Sequence, residues 1–410
     1  MRTWPERLAV GAVLLLPLVL LHGRGIAEAL ILVVDLLFRL RCARDRDIGW
    51  LRRPWVMVTL LWWGWLVACS VLHGGAGQAV GVVRFPLFAA ALEVWVLRDK
   101  NVRAWLLRLV QIAATYIAVQ SLVQLATGRN LFGYPRGADG ELTGPYAHPR
   151  AAPPFVRLLF PAVLPPVAAL LARPGLRALW GAALLLAPIG LLVAMGQRMP
   201  LLLAFLGLFV TALLIARLRG AVLAACVAAG LLIGASSVLL PEAHHRLVSR
   251  FSQQMEGFAS SHYGEIAARA LAMVRAHPGT GLGFDGFRRE CATPVYFQGW
   301  REGDGGGAEI CVQHPHNPYV QAAVEGGLPG LALFSAMALA WLLALGQGLW
   351  RHATPLRVGL FTAALLQLWP VASTSAWTSM PLAGWFALLL GLGLAETRAH
   401  IAATFSGDTR

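Results

Sequence analysis

The sequence predicts an all-α polytopic membrane protein, and three observations carry that prediction. Of 410 residues, 57% are hydrophobic and only 13% charged, whereas a soluble domain carries about 25% charged residues. The apolar runs are long and recur from one end of the chain to the other. Basic residues gather in short clusters at alternate turns between those runs. Together these exclude a disordered chain, a coiled coil and an ordinary soluble enzyme.

A membrane span needs about 20 apolar residues, and the chain offers about twelve candidates. They cover roughly 7–22, 25–40, 54–73, 80–97, 104–127, 157–173, 178–195, 200–216, 221–240, 328–348, 358–376 and 381–396. The first apolar run leads straight into a second, so no removable signal peptide is expected. The formal charge is +14, and of 34 basic residues only Lys100 is lysine. If Arg2 and Arg7 are cytoplasmic, even-numbered spans end inside. The short inside loops then hold Arg39 to Arg53, Arg98 to Arg103, Arg173 with Arg177, Arg217 with Arg219, and Arg351 with Arg357. Opposite turns at 74–79 and 377–380 hold no Lys or Arg. That bias orients the bundle with both termini cytoplasmic.

Two long segments then lie outside, 128–156 and 241–317. The chain accordingly divides into 1–240 with nine spans, a loop domain at 241–317, and 318–410 with three spans. Pro241 and the 263–277 stretch predict two amphipathic helices in the loop domain, the second ended by His277-Pro278-Gly279. Cys291 and Cys311 share this loop, and in an oxidising compartment a disulfide between them is expected, against two free thiols. Nine of eleven histidines map outside, yet no spacing matches a zinc pattern, so no metal is expected.

His314-Pro315-His316-Asn317-Pro318-Tyr319-Val320 is the most informative stretch. Asn is a favoured N-cap and Pro a favoured first helical residue, so a helix should begin at Asn317-Pro318 and end at Gly326-Gly327. His316 would sit just ahead of that helix start, where unpaired N–H groups favour an anion and disfavour an imidazolium. A neutral His316 could act as a base or simply tie the cap together. Arg198 stands in the outward turn Gly196-Gln197-Arg198-Met199-Pro200, against the charge bias; it grips an anion or snorkels to the interface. Arg84 falls about one turn inside span four, where a lipid phosphate is its natural ligand and snorkelling the alternative. Arg246, Arg250, Arg269 and Arg275 lie on the loop helices, and the planar guanidinium fork suits phosphate. Some of these could surround a diphosphate with the 316–318 helix start. Asp35 and Arg39 form an i,i+4 pair near the inner face.

What is missing narrows the class. With Lys100 followed by Asn101, no Walker A site exists and ATP hydrolysis is not expected. Gly279-Thr280-Gly281-Leu282-Gly283 follows a helix and reads as a loop. No D-x-D pair occurs, and carboxylates within spans are too few for an ion-coupled transporter.

These residues resemble the O-antigen ligase/polymerase family of bacterial inner-membrane glycosyltransferases. His-Pro-His-Asn-Pro-Tyr-Val-Gln followed by Glu325-Gly326-Gly327-Leu328-Pro329-Gly330 is similar to the family's His-Asn and Glu-x-Gly-x-x-Gly pattern. His316 falls on the family's essential His, and Gln197-Arg198-Met199 resembles its Ser-Arg-Gly turn. Thr143-Gly144-Pro145-Tyr146-Ala147-His148-Pro149-Arg150 looks like its Gly…Pro-Asn element, with Arg150 where Asn is common. His277-Pro278-Gly279-Thr280-Gly281-Leu282-Gly283 resembles its Pro-x-x-Gly-x-Gly segment. One departure stands out: where members commonly carry an Arg near the first turn of the preceding helix, this chain has Tyr263. That role is carried to Arg269, with Arg250 as the alternative. The likeness covers about residues 130–340.

The resemblance implies a GT-C-like, inner-membrane, multi-pass glycosyltransferase that acts at the periplasmic face and needs no cofactor. Its donor would be a glycan on undecaprenyl diphosphate. For a ligase, the acceptor is a hydroxyl of lipid A–core oligosaccharide. His316, Arg198 and Arg269 would be catalytic, with Arg84, Arg150, Arg250, His314, Asn317 and Tyr319 contacting substrate. Tyr134, Tyr146 and Trp300 are candidates for stacking on sugars. The transfer would be inverting and metal-independent, and nucleic acid is not an expected partner. Rival readings are an O-antigen polymerase, an O-linked protein glycosyltransferase and, from another class, a lipid-linked oligosaccharide flippase.

Overall fold

The computed structural model describes residues 3–137, 140–148, 150–297 and 307–407. Among these residues the only pairing of extended backbone is one isolated bridge between Arg129 and Pro135. In chain order the helices are α1 (Trp4–His22), α2 (Arg24–Asp45), α3 (Pro54–His73), α4 (Ala76–Gly81), α5 (Arg84–Val94) and α6 (Lys100–Thr127). There follow α7 (Ala152–Leu171), α8 (Leu176–Met195), α9 (Arg198–Leu214), α10 (Arg219–Leu239), α11 (Pro241–His244) and α12 (Arg250–Glu256). The last are α13 (His262–Ala276), α14 (Gly286–Glu290), α15 (Pro318–Gly346), α16 (Pro355–Gln367) and α17 (Met380–Gly407).

Nine helical segments among the described residues are long and apolar enough to cross a membrane: Trp4–His22, Pro54–His73, Ala76–Arg98, Lys100–Thr127, Ala152–Leu171, Leu176–Met195, Ala216–Leu239, Pro318–Gly346 and Met380–Thr404. The protein is thus an all-α polytopic membrane protein. Three of the expected spans fall outside this group. α2 is long enough but carries Arg24, Glu28, Asp35 and Arg39 along its length. α9 is apolar and has 17 residues. α16 stops at Gln367 after 13 residues, well short of the expected 376. Trp369-Pro370 follows, and a residue ahead of proline is pushed out of the helical region. The chain then runs without helix to Met380.

The chain folds as two compact units, one of residues 1–99, 256–344 and 368–399, the other of 100–255, 345–367 and 400–410. Lipid tails are as apolar as leucine, so helix association in a bilayer depends on close packing and hydrogen bonds. In the first unit α5 is buried on every side, and its run Ala89-Ala90-Ala91 is fully buried. Such small residues admit close neighbours: α2 packs on α5, and Gly391 of α17 lies where a Cβ would meet Leu92 at 2.6 Å. Trp62, Tyr319, Phe334, Trp341, Trp377 and Phe386 form a chain of ring contacts 4.9–6.1 Å apart. In the second unit α7 packs against α6, α8, α9 and α16, with Gly359 of α16 lying against the backbone of Phe160.

Candidate functional site

The two glycine-rich motifs of the first unit dock as one backbone assembly. Leu282 N donates to Val324 O at 2.8 Å, Gly283 N to Glu325 O at 3.0 Å, and Leu328 N to Pro278 O at 2.8 Å. This spacing leaves no room for side chains at the crossing. A Cβ at Gly281 would lie 2.5 Å from Val324 O, and one at Gly327 would lie 2.5 Å from Pro278 O. Gly327 also breaks α15 with φ 65° and ψ −163°, a conformation essentially confined to glycine. The expected stop at Gly326-Gly327 is therefore a kink inside one helical run. Glu325, buried in the kink, accepts from Asp285 N at 3.1 Å and Gln321 Nε2 at 2.9 Å. Trp65 Nε1 on α3 donates to Gly326 O at 2.8 Å, and Phe284 N donates to Ser70 Oγ at 2.9 Å.

Ahead of the kink, Asn317 caps the helix as its residue type requires. Its Oδ1 accepts from Tyr319 N at 2.9 Å and Val320 N at 3.1 Å. Its Nδ2 donates to Pro370 O at 2.7 Å. Tyr319 hydroxyl donates to Leu368 O at 2.7 Å, and Gln321 Oε1 accepts from Trp377 N at 3.0 Å. The irregular segment 368–379 is thereby laced to the start of α15. Asn317 and Tyr319, assigned by sequence to substrate, spend these polar atoms on holding that segment.

His316 sits between these ties in a left-handed conformation, φ 56°, rare for a residue with a side chain. Its carbonyl accepts from Thr374 N at 2.8 Å. Its ring lies 5.5 Å from Tyr263 and 4.6 Å from His314, centroid to centroid. His314 is bound through Nε2 to Thr374 O at 3.2 Å. Burial pushes the His314 pKa down, against the opposing pull of that carbonyl.

The loop helix α13 starts at Ser261, whose Oγ accepts from Gly264 N at 3.2 Å. Beneath it Ile266, Ala270, Met273, Leu282, Phe287, Cys291, Tyr296 and Val324 form a small core. Cys291 and Cys311 are joined as a disulfide, Cα–Cα 5.7 Å. Arg269, carried to the diphosphate by the resemblance, makes several bonds within the loop core. Only 1% exposed, it donates to Cys291 O at 2.9 Å and Gly307 O at 2.8 Å, and its guanidinium lies over Phe297 at 4.4 Å. Buried charge is tolerated only when bonded this way, so in this structure Arg269 is a brace of the loop core.

Arg84 is paired as well. Its Nε lies 2.6 Å from Glu28 Oε1, it donates to Gly81 O, and it covers the Phe85 ring at 4.3 Å. Glu28 was passed over in the sequence, though a carboxylate inside an apolar run is itself a signal. Arg289 was also missed; it donates to His73 O at 2.7 Å and Leu282 O at 2.5 Å, fastening the loop to α3. His73 contacts Thr280 Oγ1 at 2.9 Å and His277 contacts the Tyr296 hydroxyl at 3.0 Å.

In the second unit Arg198 is the first residue of α9, half-buried, just after Gly196 at φ 67°. A Cβ on Gly196 would lie 2.7 Å from Nε of Arg246. Arg246 is 6% exposed and stands on a π-helical turn, His245–Ser249, a geometry frequent at functional sites. Around Asn130 and Thr143-Gly144 the chain is organised by two buried amides. Gln124 accepts from Thr143 N at 2.8 Å and Gly144 N at 3.0 Å, and Asn130 donates to Gly144 O at 2.7 Å. This loop leaves Tyr134 exposed and Tyr146 half-buried. Arg150 pairs with Glu141 at 2.5 Å, and Arg250 is exposed at the start of α12. Trp300 lies outside the described residues.

The broken helix, the docked glycine motifs and the Arg198 turn all fall within one stretch of the chain. Residues 182–335, the segment that carries these features, match the O-antigen ligase family model. That family implies a glycosyltransferase-like enzyme of O-antigen assembly. No curated protein matches the chain.

Proposed function

We propose that this protein is an O-antigen ligase, moving a glycan from undecaprenyl diphosphate to a hydroxyl of lipid A–core oligosaccharide at the periplasmic face of the inner membrane. The observation that carries the reading is His316, held in a left-handed conformation at the start of a broken membrane helix. Strained residues of this kind persist where the surroundings over-determine them, and they cluster at active sites.

In this reading the anomeric carbon undergoes one inverting displacement. His316 takes the proton from the acceptor hydroxyl as its oxygen attacks. The C–O bond to the diphosphate breaks, and the bonding electrons leave with it. Diphosphate needs charge compensation more than protonation; Arg198 supplies it, with Arg84 and the exposed Arg250 as further cations and Arg150 as a contact to glycan. Asn317 and Tyr319 shape the site by fixing segment 368–379. Both chain termini are cytoplasmic, following the Arg-rich loops. A lipopolysaccharide gel of a deletion strain tests the reading: a lost ligase leaves bare core, whereas a lost polymerase leaves core bearing single repeats. The second pattern would transfer the reading to polymerase.

A further inference from the structure

His314 does more in this geometry than fill space beside His316. Its Nε2 is bonded to Thr374 O at 3.2 Å, and a carbonyl oxygen only accepts. The proton of the neutral ring is therefore on Nε2, which leaves Nδ1 as a lone-pair acceptor. That Nδ1 is shielded from solvent and has no hydrogen-bond partner among the described residues. The same residue, Thr374, donates its own N–H to His316 O at 2.8 Å. Thr374 thus ties the His314 ring and the His316 backbone, and the two ring centroids lie 4.6 Å apart at 69°.

Two rings this close cannot each carry a proton without strong mutual repulsion. From the loop helix the groups facing them are Tyr263, with His262 beside it. Segment 368–379 contains no acidic or basic residue. Burial favours the neutral form of His314. The arrangement is a pair of imidazoles with room for one proton, in which His314 Nδ1 is a buried, unbonded acceptor.

We propose that His314 and His316 act as one coupled base, jointly holding the proton released by the acceptor hydroxyl, with His314 contributing Nδ1; this rests on the glycosyl-transfer reading above. The O–H bond of the acceptor breaks and its proton goes to the pair. The oxygen lone pair forms the new bond to the anomeric carbon, and the diphosphate departs with its electrons. Two rings this close titrate as a pair, so the apparent pKa belongs to neither ring alone.

The test is His314→Gln in the full-length protein, purified in detergent and supplied with polyprenyl-diphosphate glycan and lipid A–core. Glutamine keeps an N–H for Thr374 O and loses the titrating nitrogen. The expected result is a fall in transfer of about 100-fold, with unchanged thermal unfolding and the acid limb of the residual rate displaced from that of wild type. A wild-type rate with an unmoved acid limb would overturn the pairing and leave His314 as a tie. His316→Ala, assayed alongside, separates the two ideas: its normal transfer would sink the parent reading and the pair with it. An inactive His316→Ala beside a fully active His314→Gln would remove the pair alone.

Discussion

The amide of Gly283 donates to the carbonyl of Glu325 at 3.0 Å, so two motifs separated by more than forty residues meet through bare backbone. Their glycines follow from that contact, since a Cβ at Gly281 or Gly327 would overlap the opposite strand of chain. The loop core and the broken helix are consequently one body, and His316 stands at its edge.

Gly327→Ala should be among the most damaging single changes in the first unit. It combines a glycine-only backbone conformation with a Cβ 2.5 Å from Pro278 O. A loss of about 3 kcal/mol or more is expected, seen as a lower unfolding midpoint in detergent. A stability within experimental error of wild type would mean that the loop does not dock on the kink.

Arg269→Met should weaken the loop fold before it touches chemistry. The substitution leaves Cys291 O and Gly307 O without their donor, and unpaired buried carbonyls cost about 1–3 kcal/mol each. Limited proteolysis of the 291–311 loop should accelerate, as it should after Cys291→Ser. A variant as resistant as wild type but deficient in donor binding would restore Arg269 to the diphosphate role.

Glu28→Gln and Arg84→Ala should part company. The Arg84–Glu28 pair is partly exposed, and such pairs contribute about 0–1 kcal/mol. Glu28→Gln should therefore barely change stability while freeing Arg84 for lipid phosphate, so KM for the donor holds or falls. Arg84→Ala should raise that KM. Equal effects of the two would mark the pair as a staple between α2 and α5.

Acidification should destabilise the wild-type protein through His314. Its folded pKa is depressed below the ordinary 6.5, so the unfolded chain binds the proton more readily. The stabilising contribution is complete above pH 6.5 and is lost as pH falls below it. Comparing unfolding midpoints of wild type and His314→Gln across that range isolates the effect; parallel curves would count against it.

What the sequence could disclose was local. Asn317-Pro318 announces a helix start because both preferences act within a few residues, and the same holds for the break at Gly326-Gly327. The pairing of Cys291 with Cys311 follows from two thiols sharing one loop. Segment 368–379 looked like the end of a span because its apolar content hides the stop at Pro370. Its lacing to Asn317, Tyr319 and Gln321 spans about fifty residues, beyond any periodicity. Arg269 was assigned to a ligand as the nearest arginine in the helix where the resemblance expects one. Its partners include backbone carbonyls, which every residue type offers alike. Arg289 and Trp65 escaped for the same reason.

The most direct measurement of the central claim is glycan transfer by purified His316→Ala, with polyprenyl-diphosphate glycan as donor and lipid A–core as acceptor. The reading predicts folded protein with product formation reduced by about 100-fold or more. Transfer at the wild-type rate by a folded variant would contradict it.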